Sequence, residues 1–409
     1  MRRTLARAVL AWVSALLTVQ AAAQEPPQAP AAARSPERRV PPLAIQSALP
    51  DAEAVATALA RAIDFLRGAQ KESGAFGGSG NMFHHETWAN AEAHRSWTVA
   101  TSGLCLIALL RHGGASPATR TQAERAVDFI VANHDLRRCD DWDTDHVWGL
   151  LYATHALAEA ALHPWFATGE RRAALDAALS KLLARIAAYQ SPDGGFAYYA
   201  EKEHAWRPEW STSFTTAAMV VAIDAARAAG HRFDDHAFAG ALRAVARCRL
   251  PSGAFTYDVM ALPEPGDLEG IDDPRGSLCR IPVCELALAR GGRPASEAVV
   301  ARGIDLFFRH HAYLDVARMR PLPHEAYHAN SGYFYFFGHA YLGELLPALP
   351  PALRRDTAAK LAFEVIKTQE PDGACWDYYF SDYAKPYGTA FAAIALGRAH
   401  AALAEPVGK

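Results

Sequence analysis

The chain has 409 residues, of which 41 are Lys or Arg and 44 are Asp or Glu, so its formal charge at pH 7 is −3. This mild acidity, with no run of basic residues to offset it, argues against a nucleic-acid partner. Six cysteines are too sparse for a small disulfide-stabilised domain. One or two disulfides are possible in an oxidising compartment, buried free thiols are the alternative, and the spacing of the cysteines does not reveal a pairing.

Residues 1–23 predict a secretory signal peptide. Three arginines (Arg2, Arg3, Arg7) precede an apolar run from about Ala8 to Val19, and small residues follow as far as Ala23. The run is too short to cross a bilayer. We therefore expect export to the periplasm or the exterior, with cleavage near Ala23 and no transmembrane segment in the mature chain. The sequence leaves open which export pathway is used.

A turn, "QSPDGGF" at residues 190–196, recurs along the chain. The related stretches "QKESGAF", "RLPSGAF" and "QEPDGACW" place glycines at Gly74, Gly194, Gly253 and Gly373, at intervals of 120, 59 and 120 residues. The repeating unit is thus about 60 residues long, with two degenerate copies. Six units fit between residues 51 and 404.

Each unit has the same order of segments. An amphipathic Ala/Leu-rich segment precedes the turn, with apolar residues spaced three and four apart, and a more apolar segment follows the loop. Six such pairs predict an all-α protein, an (α/α)6 toroid of six helical hairpins over residues 51–404. The apolar helices form its inner ring and the amphipathic helices its outer ring. Residues 24–50, with seven prolines, predict an extended linker, and residues 405–409 a short tail.

The turn pattern Gln-x-x-Asp-Gly-x-aromatic resembles the QW-type repeat of squalene and oxidosqualene cyclases and of protein prenyltransferase β subunits. The resemblance extends over the six units and implies the same toroid with a central cavity. It is specific for the repeat and unspecific for chemistry, because this scaffold carries unrelated activities.

Squalene-cyclase-like enzymes use an aspartic acid of an Asp-x-Asp-Asp cluster to protonate an alkene. The stretch "CDDWDTDHVW" offers Asp141, Asp143, Asp145 and His146 as catalytic candidates, although the adjacent final pair of acids is replaced by Asp-Thr-Asp. A carboxylic acid becomes strong enough for this task only where its neighbours stabilise the conjugate base. The same residues could instead form an acidic helix start, and the sequence leaves this alternative open.

The metal site of protein prenyltransferases is not expected here. Asp372 and Cys375 lie one residue further apart than the zinc ligands of that family, and no suitable His follows on the next inner helix. We therefore predict neither a metal nor another cofactor.

Aromatic, histidine and charged residues in the loops and at the starts of inner helices predict a ligand site at one mouth of the toroid. The residues proposed to bind the ligand are Trp97, Trp148, Arg280, Glu285, Tyr335, His339, Trp376 and Tyr387. An ion pair between Arg280 and Glu285 that joins two inner helices is the structural alternative for those two residues.

These observations favour a toroid that binds or acts on an isoprenoid-like or other hydrophobic small molecule by acid catalysis. A glycan-active enzyme is the first alternative, with Asp141 or Asp143 and Glu209 as its two carboxylates. The second alternative is a non-catalytic interaction scaffold. A closed, aromatic cavity beneath the acids would favour the first interpretation.

Overall fold

The computed structural model describes residues 48–80, 90–137, 145–198, 207–266 and 268–405. The predicted signal peptide and nearly all of the predicted linker lie outside these residues, so export stays a prediction. Within the described ranges every regular element is a helix, and the β-pairing consists of isolated bridges.

The described residues contain thirteen helices longer than one turn, named here in chain order. They are α1 Ala52–Ala69, α2 Ala91–His112, α3 Pro117–Asn133, α4 His146–Leu162, α5 Glu170–Tyr189, α6 Ser213–Ala228, α7 Asp235–Arg247, α8 Arg280–Arg290, α9 Glu297–Arg309, α10 Ala312–Ala317, α11 Tyr335–Leu345, α12 Pro351–Ile366 and α13 Ala384–Ala404.

Local sequence explains where several of these helices begin. The carboxylate of Asp51 accepts a hydrogen bond from the amide of Ala54 at 2.9 Å, and Asn90 caps α2 in the same way. Such caps satisfy amides that have no partner within the helix. Helix α1 buries one stripe of apolar residues, whereas α11 is buried on every side.

Six helices form a closed inner ring. In the order α2, α4, α6, α8, α11 and α13, each packs against the next, and α13 packs against α2. The helices that precede them in sequence (α1, α3, α5, α7, α9 and α12) pack on the outside. The predicted (α/α)6 toroid of six hairpins is therefore confirmed.

The glutamine of the repeated turn joins neighbouring units. The amide of Gln190 donates to the carbonyl of Gly194 at 2.6 Å within its own turn and to the carbonyl of Ala237 on α7 at 2.8 Å. Gln70 makes the equivalent pair of bonds. In the last unit, Gln369 donates to the carbonyl of Ala58 on α1 at 2.9 Å, which ties the end of the toroid to its beginning.

A second repeated bond connects each turn to the inner helix that follows it. In each of the four units with a turn glycine, the amide two residues after that glycine donates to a hydroxyl on the following inner helix or, for Ser277, three residues before that helix begins. The pairs are Phe76 with Ser102, Phe196 with Thr216, Phe255 with Ser277, and Cys375 with Thr389, at 2.8–2.9 Å. Cys375 thus takes the position of the aromatic residue, which explains why Trp376 lies one residue late in the pattern.

The glycine of the turn is required by its backbone conformation and its surroundings. Gly194 has a φ of 94°, and a Cβ atom there would lie 2.9 Å from the carbonyl oxygen of Gly240 on α7. Residues with a Cβ rarely adopt this conformation.

We expect Gly194→Val to lower the melting temperature, with a loss of at least about 1 kcal/mol from backbone strain alone. Gly230→Val is the matched control, because Gly230 has a φ of 90° with no atom near its missing Cβ. Thermal unfolding should show the larger loss for Gly194→Val. Equal losses would show that contact between the turn and α7 is unimportant.

Candidate functional site

A cavity of about 450 Å³ lies within the inner ring, at the end where the inner helices begin. Most of its described lining is aromatic: Trp97, Trp148, Tyr152, Tyr198, Phe214, Tyr333, Phe334, Phe337, Tyr378, Phe380, Tyr387 and Phe391. Ala100, Thr101, Leu104, Asp145, Pro323 and His324 complete it. This volume and lining are typical of a site for a small apolar ligand.

Asp145 is the one carboxyl group among the described lining residues. It immediately precedes α4, and its backbone carbonyl accepts bonds from the hydroxyl of Ser96 and the amide of Trp148. Burial raises the pKa of Asp145 to about 6, and hydrogen bonds from the side chains of Trp148 and Trp97 offset this only in part. At mildly acidic pH the cavity therefore contains a neutral carboxylic acid held by two indoles.

The other members of the predicted acidic cluster are placed differently. Asp141 and Asp143 lie outside the described residues, so their predicted roles remain predictions. His146 is buried, and its ring packs edge-on against Tyr189 at 4.8 Å between centroids, away from the residues that line the cavity. The side chain of Asp145 makes no capping hydrogen bond to α4 and faces the cavity instead.

Three of the proposed ligand-binding residues, Trp97, Trp148 and Tyr387, do line the cavity. The hydroxyl of Tyr387 donates to the carboxylate of Asp377 at 2.5 Å, and the amide of Phe336 donates to the same carboxylate at 3.0 Å. Asp377 is fully buried behind the cavity wall, and burial raises its pKa to about 6. The hydrogen bond fixes the phenol of Tyr387 at the wall.

Arg280 and Glu285 do not line the cavity, nor do they pair with each other. The carboxylate of Glu285 is bound by both Nε and Nη2 of Arg249, at 3.1 and 2.6 Å. Arg249 occupies the frame of the turn glutamine, so this ion pair replaces the glutamine bonds in the fourth unit. The guanidinium of Arg280 donates to the carbonyls of Phe255 and Ile271 and thereby holds the loop before α8.

Tyr335, His339 and Trp376 also lie away from the cavity. Tyr335 and His339 face the outer ring: the hydroxyl of Tyr335 donates to the carbonyl of Glu364 on α12, and the imidazole of His339 contacts that of His311 at 2.9 Å. The indole of Trp376 donates to Glu370. The ligand contact predicted for these residues is not made in this cavity.

The opposite face of α11 supplies the cavity wall through Phe334, at its start, and Phe337. Helical spacing separates these residues from Tyr335 and His339, but it does not show which face points inward, because all eleven residues of α11 are buried. Tyr335 and His339, which were proposed to bind the ligand, thus lie on the face of α11 that points away from this cavity. Tyr152, Phe214 and Phe391 were missed because they lie within apolar inner helices that look alike on all sides.

Charged side chains form ion pairs at the other end of the inner ring. Each inner helix contributes one charged side chain near its C-terminal end, and together these form the charged ring: Arg111, Glu159, Asp224, Arg290, Glu344 and Arg398. Glu344 is the hub, with contacts of 2.5 Å to Arg111, 3.0 Å to Arg398 and 3.2 Å to Arg290. Burial would raise the pKa of Glu344, but these three guanidinium groups lower it to about 2.

Comparison of the whole chain with models of known protein families and with curated proteins finds no match. Solved structures do share the fold. The type II terpene cyclase MstE from Scytonema has 15% sequence identity and a TM-score of 0.52, over 86% of this chain and 100% of that one. An α-1,6-mannanase, GH76A of Salegentibacter sp. HEL1_6, was solved as an inactive variant with α-1,6-mannotetrose. It has 12% identity and a TM-score of 0.52, over 85% and 99% of the two chains.

The chain has the α/α toroid fold of these enzymes. At this level of identity the likeness concerns architecture alone. Among the helices of the described residues, none combines the length and the hydropathy that a bilayer span requires.

We expect Glu344→Gln to reduce the free energy of unfolding by about 3–5 kcal/mol, because three guanidinium groups would lose their shared buried carboxylate. Glu405→Gln is the control, since the ion pair of Glu405 with Arg354 is exposed and worth about 1 kcal/mol or less. Urea unfolding at pH 7 measures both losses. The depressed pKa of Glu344 implies that its contribution is present above the ordinary Glu pKa and disappears towards about pH 2. Losses of equal size in the two variants would contradict a structural role for the charged ring.

Proposed function

We propose that this protein binds an isoprenoid-like hydrophobic molecule in the central cavity and acts on it by acid catalysis, with Asp145 as the proton donor. The observation that carries the proposal is the position of Asp145. It is a carboxyl group of raised pKa, held by Trp97 and Trp148, and it faces an aromatic cavity.

The surroundings of Asp145 suit the protonation of an alkene. Burial keeps the carboxyl neutral at mildly acidic pH, so that it has a proton to give. After transfer, the two indole N–H groups stabilise the carboxylate that remains. The cation formed on the ligand would then face aromatic rings such as Phe214 and Phe337, whose π faces attract positive charge and lack nucleophiles.

Glycoside hydrolysis is less well supported by the cavity. That reaction uses two carboxyl groups on either side of the scissile bond, about 5–10 Å apart. Among the described lining residues Asp145 has no such partner, and Glu209 is exposed and absent from the lining. A scaffold that only docks proteins would have no need to place an acid of raised pKa in an aromatic cavity.

Incubation with geranylgeraniol or squalene in D₂O at pH 5.5 tests the proposal. Transfer of an exchangeable proton from Asp145 should give a product with one added deuterium on carbon, and Asp145→Asn should lower its rate of formation by at least about 100-fold. Glu209→Asn is the control for a general change in surface charge and should retain the wild-type rate. Hydrolysis of α-1,6-mannotetrose with no deuterated isoprenoid product would instead support the glycan-active alternative.

We expect Asp145→Asn also to stabilise the fold at pH 7. The folded-state pKa of about 6 exceeds the unfolded value of about 3.9, so the folded protein binds more protons between these values and loses stability as the pH rises through them. Removing the charge should recover about 1–3 kcal/mol at pH 7 and nothing near pH 3. Melting temperatures of the two proteins from pH 3 to 7 check this. A variant that is less stable than the wild type at pH 7 would show that the folded-state pKa of Asp145 is not raised above its unfolded value.

A further inference from the structure

A cluster of side chains with metal-binding atoms lies between the fifth and sixth hairpins, outside the cavity. Within the described part of the chain, His311, Asp315 and Glu364 each offer one ligand atom, and these three atoms lie within 4.8 Å of one another. His311 precedes α10, Asp315 lies within it, and Glu364 lies on α12. No spacing along the chain predicts this cluster, because its members belong to two hairpins. None of them lines the cavity, so the chemistry proposed for Asp145 does not account for them.

The distances within the cluster are those of ligands around one small ion. Nδ1 of His311 lies 3.2 Å from Oε2 of Glu364 and 3.3 Å from Oδ2 of Asp315. A tetrahedral zinc ion with bonds of about 2.0–2.2 Å holds neighbouring ligand atoms about 3.3–3.6 Å apart. One imidazole and two carboxylates can thus provide three of its ligands, with the fourth position left for water. Magnesium and calcium prefer ligand sets made of oxygen alone.

His339 fixes the orientation of the His311 ring. Nδ1 of His339 lies 2.6 Å from the carbonyl oxygen of Tyr335, which can only accept, so this nitrogen carries a proton. His339 is fully buried, which favours the neutral ring with a lone pair on Nε2. Nε2 of His311, 2.9 Å away, therefore donates to it. Histidines that bind metals through one nitrogen commonly donate from the other in this way.

The lone pair of a neutral His311 is then on Nδ1, where it faces two carboxylate oxygens. Three electron-rich atoms at these distances repel one another unless positive charge lies among them. Lys367 supplies part of that charge, since its ammonium contacts Oδ2 of Asp315 at 2.9 Å and also contacts Oε2 of Glu364. A proton on Nδ1 or a metal ion would supply the rest. The cluster is therefore arranged around a position for a cation.

We propose that His311, Asp315 and Glu364 bind a divalent metal ion of the zinc class, which displaces the ammonium of Lys367. The two carboxylates balance the charge of the ion, and Nδ1 of His311 is its nitrogen ligand. The side chain of Lys367 is 32% exposed, so its ammonium can move into solvent as the metal enters. The ion would join α10 to α12 in the outer layer. This inference is independent of the proposed function.

Titration calorimetry with Zn²⁺, on untagged protein that has been treated with EDTA, tests the proposal. Glu364→Gln replaces one ligand carboxylate by an amide. Asp356→Asn is its matched control, because it makes the same change on α12 at an exposed ion pair with Lys360. Lys367→Met and Lys360→Met form a second matched pair, which removes an ammonium at the cluster and at the surface. Far-UV circular dichroism verifies that every variant is folded.

We expect the wild type to bind one Zn²⁺ that Glu364→Gln binds at least about 100-fold more weakly, because even residues that only support a metal ligand contribute 10–100-fold. Lys367→Met should bind about 10-fold more tightly than the wild type, since the competing ammonium is gone. Asp356→Asn and Lys360→Met should retain the wild-type affinity. Co²⁺ should give the visible absorption of a four-coordinate ion in the wild type and lose it in Glu364→Gln.

Two results would overturn the metal site. One is a wild type that binds no Zn²⁺, and the other is a Zn²⁺ affinity in Glu364→Gln equal to that in Asp356→Asn. The cluster would then be an ion-pair joint, neutralised by Lys367 and by a proton on His311. Zn²⁺ binding by Lys367→Met that is no tighter than that of Lys360→Met would overturn the displacement of the ammonium.

Discussion

Closure of the inner ring is the constraint on which the rest of the structure depends. An open row of hairpins would leave one apolar inner helix exposed at each end, and here α13 and α2 cover each other. Gln369 donates to the carbonyl of Ala58 across the closure. Gln190 makes the equivalent bond to the carbonyl of Ala237 within the ring. Because the closure uses the same bond as the joints at Gln70 and Gln190, and outer and inner helices alternate along the chain, all six inner helices begin at one end of the ring. The loops between outer and inner helices therefore gather around the cavity, and the C-terminal ends of the inner helices meet in the charged ring.

The sequence predicted this architecture because the residues that join neighbouring units recur in several units. Gln, Gly and the apolar spacing recur at the same positions in each unit. The position of a degenerate copy therefore follows from the intact copies on either side of it. The bonds from turn amides to Ser102 and Thr389 were not predicted, since a hydroxyl in an apolar helix has no distinctive spacing. The fourth unit shows how a joint can change its chemistry: Arg249 replaces the glutamine, and Glu285 supplies the acceptor that a guanidinium requires.

The candidate site was harder to predict than the fold, for a physical reason. Periodicity identifies a helix face only when the opposite face is polar, and inner-ring helices are buried on both. Tyr335 and His339 were proposed because they are aromatic and histidine residues on one face of an inner helix. Polar atoms among apolar helices need hydrogen-bond partners, and Glu364 on α12 and His311 before α10 provide them on the side away from the cavity. The apolar face with Phe337 was left for the cavity. Asp145 was a candidate because of the resemblance to the Asp-x-Asp-Asp cluster, and Trp97 and Trp148 because aromatic residues near the starts of inner helices predicted a mouth; all three line the cavity.

Asp145 at the cavity and Asp377 behind its wall show how position separates two acids of raised pKa. Burial raises the pKa of Asp145 and that of Asp377 to the same value, about 6. Asp377 has no access to the cavity, because Tyr387 stands between them and the amide of Phe336 occupies its second oxygen. Asp145 is bound on one side by indoles and faces the cavity on the other. Enzymes that act on unlike substrates share this scaffold, so the fold alone does not assign a chemistry. Among the described lining residues one acid meets a set of aromatic rings, and the proposed acid catalysis rests on that combination.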